Sequence, residues 1–356
     1  MPAVATDRFA RLIESNIAAG QTLAAECYRD PDYFQLELER VLRPGWHAVA
    51  RWDDLPNPGD YRSVDLCGEP LLVVRGNDRQ LRVFSRICAH RAHPVVEGSG
   101  NTKRFVCPYH RWSYDLDGRL AAAPLMEDTP GFSRENCGLP ELRTDTWQGF
   151  TLVSLDPAAE PIAGQLKALD EFLEPHGFAA METVGTLDFD SPWNWKVLVD
   201  NFCESYHHLG PHVESLHKTN PAGGTYPIEG LDGPFALLEN PGTQGNPDFY
   251  VGLVFPTLLF AVFRGNPIGT WYEMQIDRHD SFRLRIHMLA APGVIGEDDV
   301  DGMKAIFTEV HVEDIGVCDA VQAGLQSRLW QPGPLARPYE GVLGRFHRYL
   351  LERLTG

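Results

Sequence analysis

The chain has 356 residues, 43% hydrophobic and 22% charged, which suits two folded domains better than one and excludes wholesale disorder. Lys and Arg total 31 against 49 Asp and Glu, a formal charge of −18. Such a surface repels nucleic acid and anionic membrane and suits cationic ligands or basic protein partners. No run of about 18 uncharged apolar residues occurs, so no membrane span is expected. The stretch Met1–Ala10 has no apolar run behind a basic cluster, so no leader is expected either. Seven Cys, an odd number, make no disulfide framework; in a chain expected in the cytoplasm, metal or reactive roles come first.

Residues 1–43 read as helical. Phe9, Leu12 and Ile13 recur at helical spacing, and a second helix runs through Tyr33, Leu36, Leu38, Val41 and Leu42 to Pro44-Gly45. Residues 44–155 change pattern. Short β-rich runs at Trp46–Ala50, Tyr61–Val64, Pro70–Val74 and Leu81–Phe84, parted by Gly, Pro, Asn and Asp, predict a small all-β sandwich or barrel. The segment Asp156–Pro161 marks a boundary, and 156–356 forms the third region. There the pattern predicts helices at Ile162–Leu173 and Trp195–Leu209. Strands follow within Phe249–Phe263, Thr270–Ile276 and Phe282–Leu289, then a long helix at Asp299–Arg328. Helices around an antiparallel sheet make this part α+β, and the whole chain is placed in that class. No phosphate-cradling Gly-rich loop or dinucleotide fingerprint is present, so a reduced nicotinamide must be handled by another protein.

Two Cys/His pairs lie on loops between predicted strands: Cys88-Ala-His90-Arg91, and Cys107-Pro-Tyr-His110-Arg-Trp112. Spacing alone leaves two chemistries open, a closed tetrahedral zinc site or a two-iron cluster with both Cys on one iron and both His on the other. The flanks resemble the Rieske family: Cys88–Arg91 its first ligand loop, Cys107–Gly118 its second. The resemblance makes Cys88, His90, Cys107 and His110 ligands of a [2Fe-2S] cluster and residues 44–155 a Rieske domain. It departs at Arg111, where Gly is frequent, and it leaves His93 as a loop residue.

A second constellation is Trp193-Asn-Trp-Lys196 followed by Asp200-Asn-Phe-Cys-Glu204-Ser-Tyr-His207-His208-Leu-Gly-Pro-His212. Two His and one carboxylate on ferrous iron leave open positions for O2. His208 and His212 would share a helix face, but Gly210-Pro211 should end the helix near Leu209. His207 and His212 form the other spacing, and His217 is a further substitute. The stretch resembles the metal motif of Rieske non-haem iron oxygenases, α subunits of the ring-hydroxylating superfamily. That resemblance selects His207 and His212 and puts Glu204 at the place three residues before the first His. For the carboxylate, Ile306, Val310, Val317, Val321 and Leu325 mark the stripe of the long helix, with Glu313 and Asp314 flanking it and Asp319 pointing away. Periodicity does not choose between the first two; the resemblance favours Asp314.

The same resemblance covers nearly the whole chain and implies the rest. The N-terminal helices would pack with a catalytic domain holding mononuclear Fe(II). A separate NAD(P)H-dependent reductase would supply electrons, and subunits would form a homotrimer in which the cluster of one lies near the iron of the next. Glu204 would bridge His110 and His207 across that boundary, and Asn201 would sit near the iron without binding it. Glu at the bridge resembles the α-only branch acting on quaternary ammonium compounds such as betaines, carnitine and choline-like molecules. An aromatic ring or aromatic acid hydroxylase is the alternative, and an electron-transfer Rieske protein without oxygenase activity a remote one. An aromatic cage for a cation could draw on Phe202, Tyr206, Phe255, Phe260, Trp271 and Tyr272.

Overall fold

Residues 47–161 are dominated by short apolar runs broken by turn residues, and in a computed structural model these runs form three small antiparallel sheets. The structure describes residues 2–337 and 339–356. The largest of these sheets has the order Leu81–Ser85, Glu69–Arg75, Asp60–Leu66, Ser99–Asn101. A second joins His47–Arg51, Phe150–Ser154 and Arg143–Trp147. The third, Phe105–Val106, Ser113–Tyr114 and Leu120–Ala122, carries the second Cys/His loop between its first two strands. Leu72, Val74, Phe84, Tyr114 and Leu116 share one core with Cys88 and Cys107. Gly118 closes a tight turn against it: its φ is +81°, and a Cβ there would meet the Phe84 ring at 2.6 Å.

The second compact unit combines the chain before His47 with residues 162–356. Its centre is a seven-stranded antiparallel sheet. The order is Glu182–Ser191, Phe282–Ala290, Asn266–Ile276, Leu258–Phe263, Phe249–Val254, Phe235–Asn240, Tyr226–Pro227. Every residue of Phe249–Val254 is buried, so that strand is covered on both faces and reads as an unbroken apolar run. Helices Trp195–Phe202, Glu297–Gly324 and Gly341–Thr355 pack around the sheet, the last also against Pro2–Ala19. The α+β class expected from the pattern is the one found.

Near the N-terminus, Asp30 caps helix Pro31–Glu37 by accepting from Asp32 N at 2.9 Å, and Pro31 occupies the first turn. The helix continues as a π-helical turn over Leu38–Leu42. Two strands, Glu182–Ser191 and Phe235–Asn240, and the helix Gly341–Thr355 lay outside the sequence-based expectation. Glu182–Ser191 is an edge strand whose few apolar residues, Val184, Leu187 and Phe189, are only partly buried, so its apolar signature is weak.

The long helix corrects another expectation. Ile306 and Val321 are 61% and 43% exposed, and of the expected apolar stripe only Leu325 is buried. The buried stripe is Met303, His311, Asp314, Cys318, Leu325, at heptad spacing. Polar residues occupy its middle, which is why a purely apolar count misplaced it. Asp314 therefore lies within the stripe rather than beside it.

His311 packs at a tilt on Phe189 with ring centroids 4.3 Å apart, and its Nε2 has no hydrogen-bond partner among the described residues. Burial pulls its pKa down to about 4 from 6.5. Stability linked to this group is intact above the unfolded value; as pH falls below it, the unfolded chain takes up the proton first and stability is lost until the folded value is passed. His311→Leu should remove about 3 kcal/mol of that acid lability over the window, seen as a smaller fall in Tm between pH 7 and 4.5. An unchanged dependence of Tm on pH would count against it.

Candidate metal centres

Asn194 starts the helix Trp195–Phe202, its side chain accepting from Lys196 N at 3.0 Å. The helix does not continue to Leu209. It stops at Phe202, and a separate 3₁₀ turn covers Tyr206–Leu209. The side chains between them explain the break. Glu204 accepts from His207 N at 3.0 Å and stands 2.7 Å from His207 Nδ1, capping the next turn instead of continuing the helix. Ser205 donates to Asn240 Oδ1. Gly210 ends the 3₁₀ turn, and His212 lies in the loop beyond.

This route brings His207 and His212 to the long helix. His212 Nε2 is 3.0 Å and His207 Nε2 3.6 Å from Asp314 Oδ1. His207, His212 and Asp314 offer one ligand atom each, all within 4.8 Å of one another. Asn201 Nδ2 donates to Asp314 Oδ1 at 3.2 Å. Both imidazoles are held from behind: His207 Nδ1 by Glu204, and His212 Nδ1 by Glu313 Oε2 at 2.6 Å. Ser215 Oγ donates to the same Glu313 oxygen at 2.6 Å. Carboxylates on Nδ1 fix the tautomer that leaves Nε2 as a lone-pair donor.

His212 Nε2 supplies the test of fit. It is buried and 3.0 Å from Asp314 Oδ1, yet it has no hydrogen-bond partner among the described residues. With His207 Nε2 and the Asp314 oxygen it forms a group of three donor atoms within 4.8 Å of one another, as the donors of one cation do. Burial opposes charge on both groups, but Asp314 and then Glu313 raise the His212 pKa, and His212 and His207 lower that of Asp314. Such a set suits a divalent cation. His208 is buried next to the trio but outside it, with Nδ1 3.0 Å from Asn220 O; burial and then His207 pull its pKa down to about 3. His217 also lies outside the trio and accepts from Ala222 N through Nδ1.

In residues 47–161 the two Cys/His loops face each other. Cys88 and Cys107 are buried, while His90 and His110 are partly exposed with ring centroids 4.6 Å apart. Trp112 stacks on His90 at 4.7 Å, and His90 Nδ1 is buried without a hydrogen-bond partner among the described residues. Inner thiols and outer imidazoles with a free ring nitrogen fit a cluster whose two irons differ in ligands. Tyr114 Oη lies 3.1 Å from Cys88 Sγ and accepts from Ala89 N. Arg111 takes a φ of +61° and donates from its backbone N to Cys107 O. The left-handed turn explains why glycine suits that position. His93 is exposed and its Nδ1 faces Pro94 O.

Sequence reasoning missed Tyr114 and Ser215, and it weighed Glu313 only as a rival ligand. Nothing in the spacing marks them, since each acts across a fold contact. The proposed six-member aromatic cage is not assembled. Phe202 and Tyr272 pack edge to face at 4.6 Å, and Tyr272 stays protonated because burial and then Asp314 raise its pKa. Trp271 points to the other face of its strand and stacks on His287, Phe260 packs on Phe178, and Phe255 packs on Tyr349. Tyr206 is 46% exposed.

A Rieske [2Fe-2S] domain model matches residues 45–133, and the model of the ring hydroxylating alpha subunit (catalytic domain) matches residues 178–356. The chain belongs to this family of ring-hydroxylating α subunits. It is a Rieske oxygenase, an oxidoreductase with a [2Fe-2S] cluster and a mononuclear iron. It is 27% identical to the chloroplastic choline monooxygenase of Spinacia oleracea, over 92% of this chain and 77% of that protein. It is 28% identical to the carnitine monooxygenase oxygenase subunit of Acinetobacter pittii, over 85% and 84%. The fold matches that of the quaternary ammonium Rieske monooxygenase CntA in complex with L-carnitine: TM-score 0.86, 24% identity, 97% of this chain and 99% of the other. The naphthalene 1,2-dioxygenase from Rhodococcus sp. shares the fold at TM-score 0.84 and 18% identity, over 98% of both.

Glu313→Gln should weaken divalent-metal binding at the trio by roughly ten- to a hundredfold, read by competition with a chelator, while Asp314→Ala should lose the mononuclear iron and keep the cluster. Full iron retention by the Asp314 variant with loss from the Glu313 variant would exchange their roles.

Proposed function

We propose that the chain is the terminal oxygenase for a quaternary ammonium substrate of betaine, carnitine or choline type, hydroxylating or N-demethylating it. The observation that carries the reading is the aromatic pair Phe202–Tyr272 beside the ligand trio, in a chain whose relatives over most of its length are named choline and carnitine monooxygenases. A methylated ammonium seeks aromatic faces and nearby anions, and the formal charge of −18 suits it.

In this reading His207, His212 and Asp314 hold the iron, and Cys88, Cys107, His90 and His110 hold the cluster. Ferrous iron on two His and one carboxylate supplies O2 activation with electrons from the cluster. The chain's own groups set its conditions. Glu204 and Glu313 orient the two imidazoles, and Asn201 holds the Asp314 carboxylate. Hydroxylation of an N-methyl gives a carbinolamine, which collapses to formaldehyde, the demethylated amine and a proton.

The partners proposed are a separate NAD(P)H-dependent reductase and two further copies of the chain. A homotrimer would let Glu204, already on His207, reach His110 of a neighbour. Inter-subunit electron transfer is described for the quaternary ammonium monooxygenase whose fold this chain shares. Among the described residues no helix is long and apolar enough to cross a membrane, in keeping with a proposed cytoplasmic location.

The test is NADH-dependent O2 uptake by the iron-loaded protein with a surrogate reductase, across trimethylammonium compounds and aromatic acids. Uptake with formaldehyde release from an ammonium compound is expected. Uptake only with aromatic acids would replace the substrate class by the aromatic alternative. Glu204→Gln should keep both metal centres and lose at least about a hundredfold in turnover; native activity in that variant would remove the bridging role.

A further inference from the structure

Asp200, Tyr28 and His347 are not part of the ligand set, yet all three line a cavity of about 210 Å³ together with Glu204, His207 and Glu340. Asp200 lies near the end of the helix Trp195–Phe202, and Tyr28 donates its hydroxyl to Asp200 Oδ2. That phenol is fixed and stays protonated: burial and then Asp200 hold its pKa well above the ordinary value. Its ring also lies under the Lys196 ammonium at 5.4 Å, which Glu37 pairs at 2.7 Å in a fully buried ion pair. Tyr28 thus occupies one oxygen of Asp200 and leaves the other. That oxygen, Oδ1, stands 3.8 Å from Nε2 of His347, which is 1% exposed. Neither atom has a hydrogen-bond partner among the described residues. A small turn of the ring or one shared water spans that gap. Glu340 lies seven residues before His347, two helical turns away on the same side, and is only partly buried. Burial, with Glu204 and Asp200 adding to it, raises its pKa, so it holds a proton more readily than an ordinary carboxylate. The other titratable groups facing Asp200 are the buried Cys203 and Cys318 thiols, both held protonated by burial and then by neighbouring carboxylates.

We propose that Glu340, His347 and Asp200 form a proton relay into the oxygenase site, with Tyr28 positioning the final carboxylate. The proposal rests on the oxygenase reading. Putting one oxygen atom into a C–H bond and reducing the other to water takes two electrons, from the reductase, and two protons, from solvent. In the relay, water in the shared cavity carries a proton from Glu340 to the other ring nitrogen of His347; as that N–H bond forms, the N–H bond at Nε2 breaks and an O–H bond forms at Asp200 Oδ1. Glu340 then takes a proton from solvent, and a turn of the ring resets the imidazole. Asp200 then releases its proton into the cavity it shares with Glu204 and His207. This carboxylate–imidazole contact is set beside the ligand trio but outside it, and the packing of the helix there is already supplied by Leu343, Phe346 and Leu350.

The test compares Asp200→Asn, which keeps shape and an acceptor for Tyr28, and His347→Ala with native holoenzyme. Product formation in Asp200→Asn should fall at least about tenfold with both metal centres full, and its solvent deuterium isotope effect should rise. His347→Ala should recover activity when imidazole is added. Away from turnover, ¹⁵N-histidine NMR of the oxidised protein with zinc at the mononuclear site should show the His347 Nε2–H proton downfield, moving upfield in Asp200→Asn. Native rate and native isotope effect in Asp200→Asn, or no imidazole rescue, would overturn the relay. Absence of substrate-driven O2 uptake in the native protein would overturn the oxygenase reading instead, and an Nε2–H signal unmoved in Asp200→Asn would still overturn the relay by itself.

Discussion

Two imidazole nitrogens and a carboxylate oxygen, buried and turned toward one point, are stable together only with a cation among them or with their charges balanced from behind. Both conditions shape this chain. Glu204 and Glu313 stand behind the two imidazoles and settle which nitrogen faces inward. That demand for carboxylates at fixed places decides much of the local backbone. Inside a helix the His207 N–H would bond to Cys203 O; because Glu204 takes that N–H instead, the helix ends at Phe202 and the chain turns. Glu313 and Asp314 are neighbours on one helix, and their different directions let one act on His212 from behind and the other from the front.

The seven-stranded sheet and its helices are the rigid support for this arrangement. The strand Glu182–Ser191 and the helix Trp195–Phe202 hold the long helix from two sides, which fixes Asp314 relative to the loop carrying His212. The fully buried Lys196–Glu37 pair ties that same helix to the N-terminal segment. A buried ion pair adds little net stability by itself, but removing one partner strands the other charge. Its value lies in the register it imposes on Trp195–Phe202.

The parts legible in the sequence were those with one-dimensional signatures. The Cys/His loops and the run from Asp200 to His212 are local, and the change from alternating to helical patterning separates the β-rich region from the rest. The illegible parts depend on contacts far apart in sequence. Ser215 and Tyr114 act through partners that only the fold supplies. The edge strand Glu182–Ser191 has few apolar residues, Val184, Leu187 and Phe189 among them, and none of these is fully buried; the long helix carries polar side chains along its buried face, so hydrophobic counting failed at both. The interrupted helix after Phe202 failed for a related reason: a side chain that caps the next turn looks, in sequence, like any helix-forming Glu.

The spacing of the ligand set also bears on how the chain is held together. His212 and Asp314 lie far apart in sequence, and the strands from Tyr226 to Ala290 lie inside the loop that a metal bound at the trio would close. Closing a loop of that size restricts the unfolded chain as a long-range cross-link does. The metal would then act as a removable staple as well as a reaction centre. Stripping it would loosen the loop around His212 and the middle of the long helix before it disturbed the remote strands, so the earliest sites of proteolytic cutting in metal-free protein should cluster there.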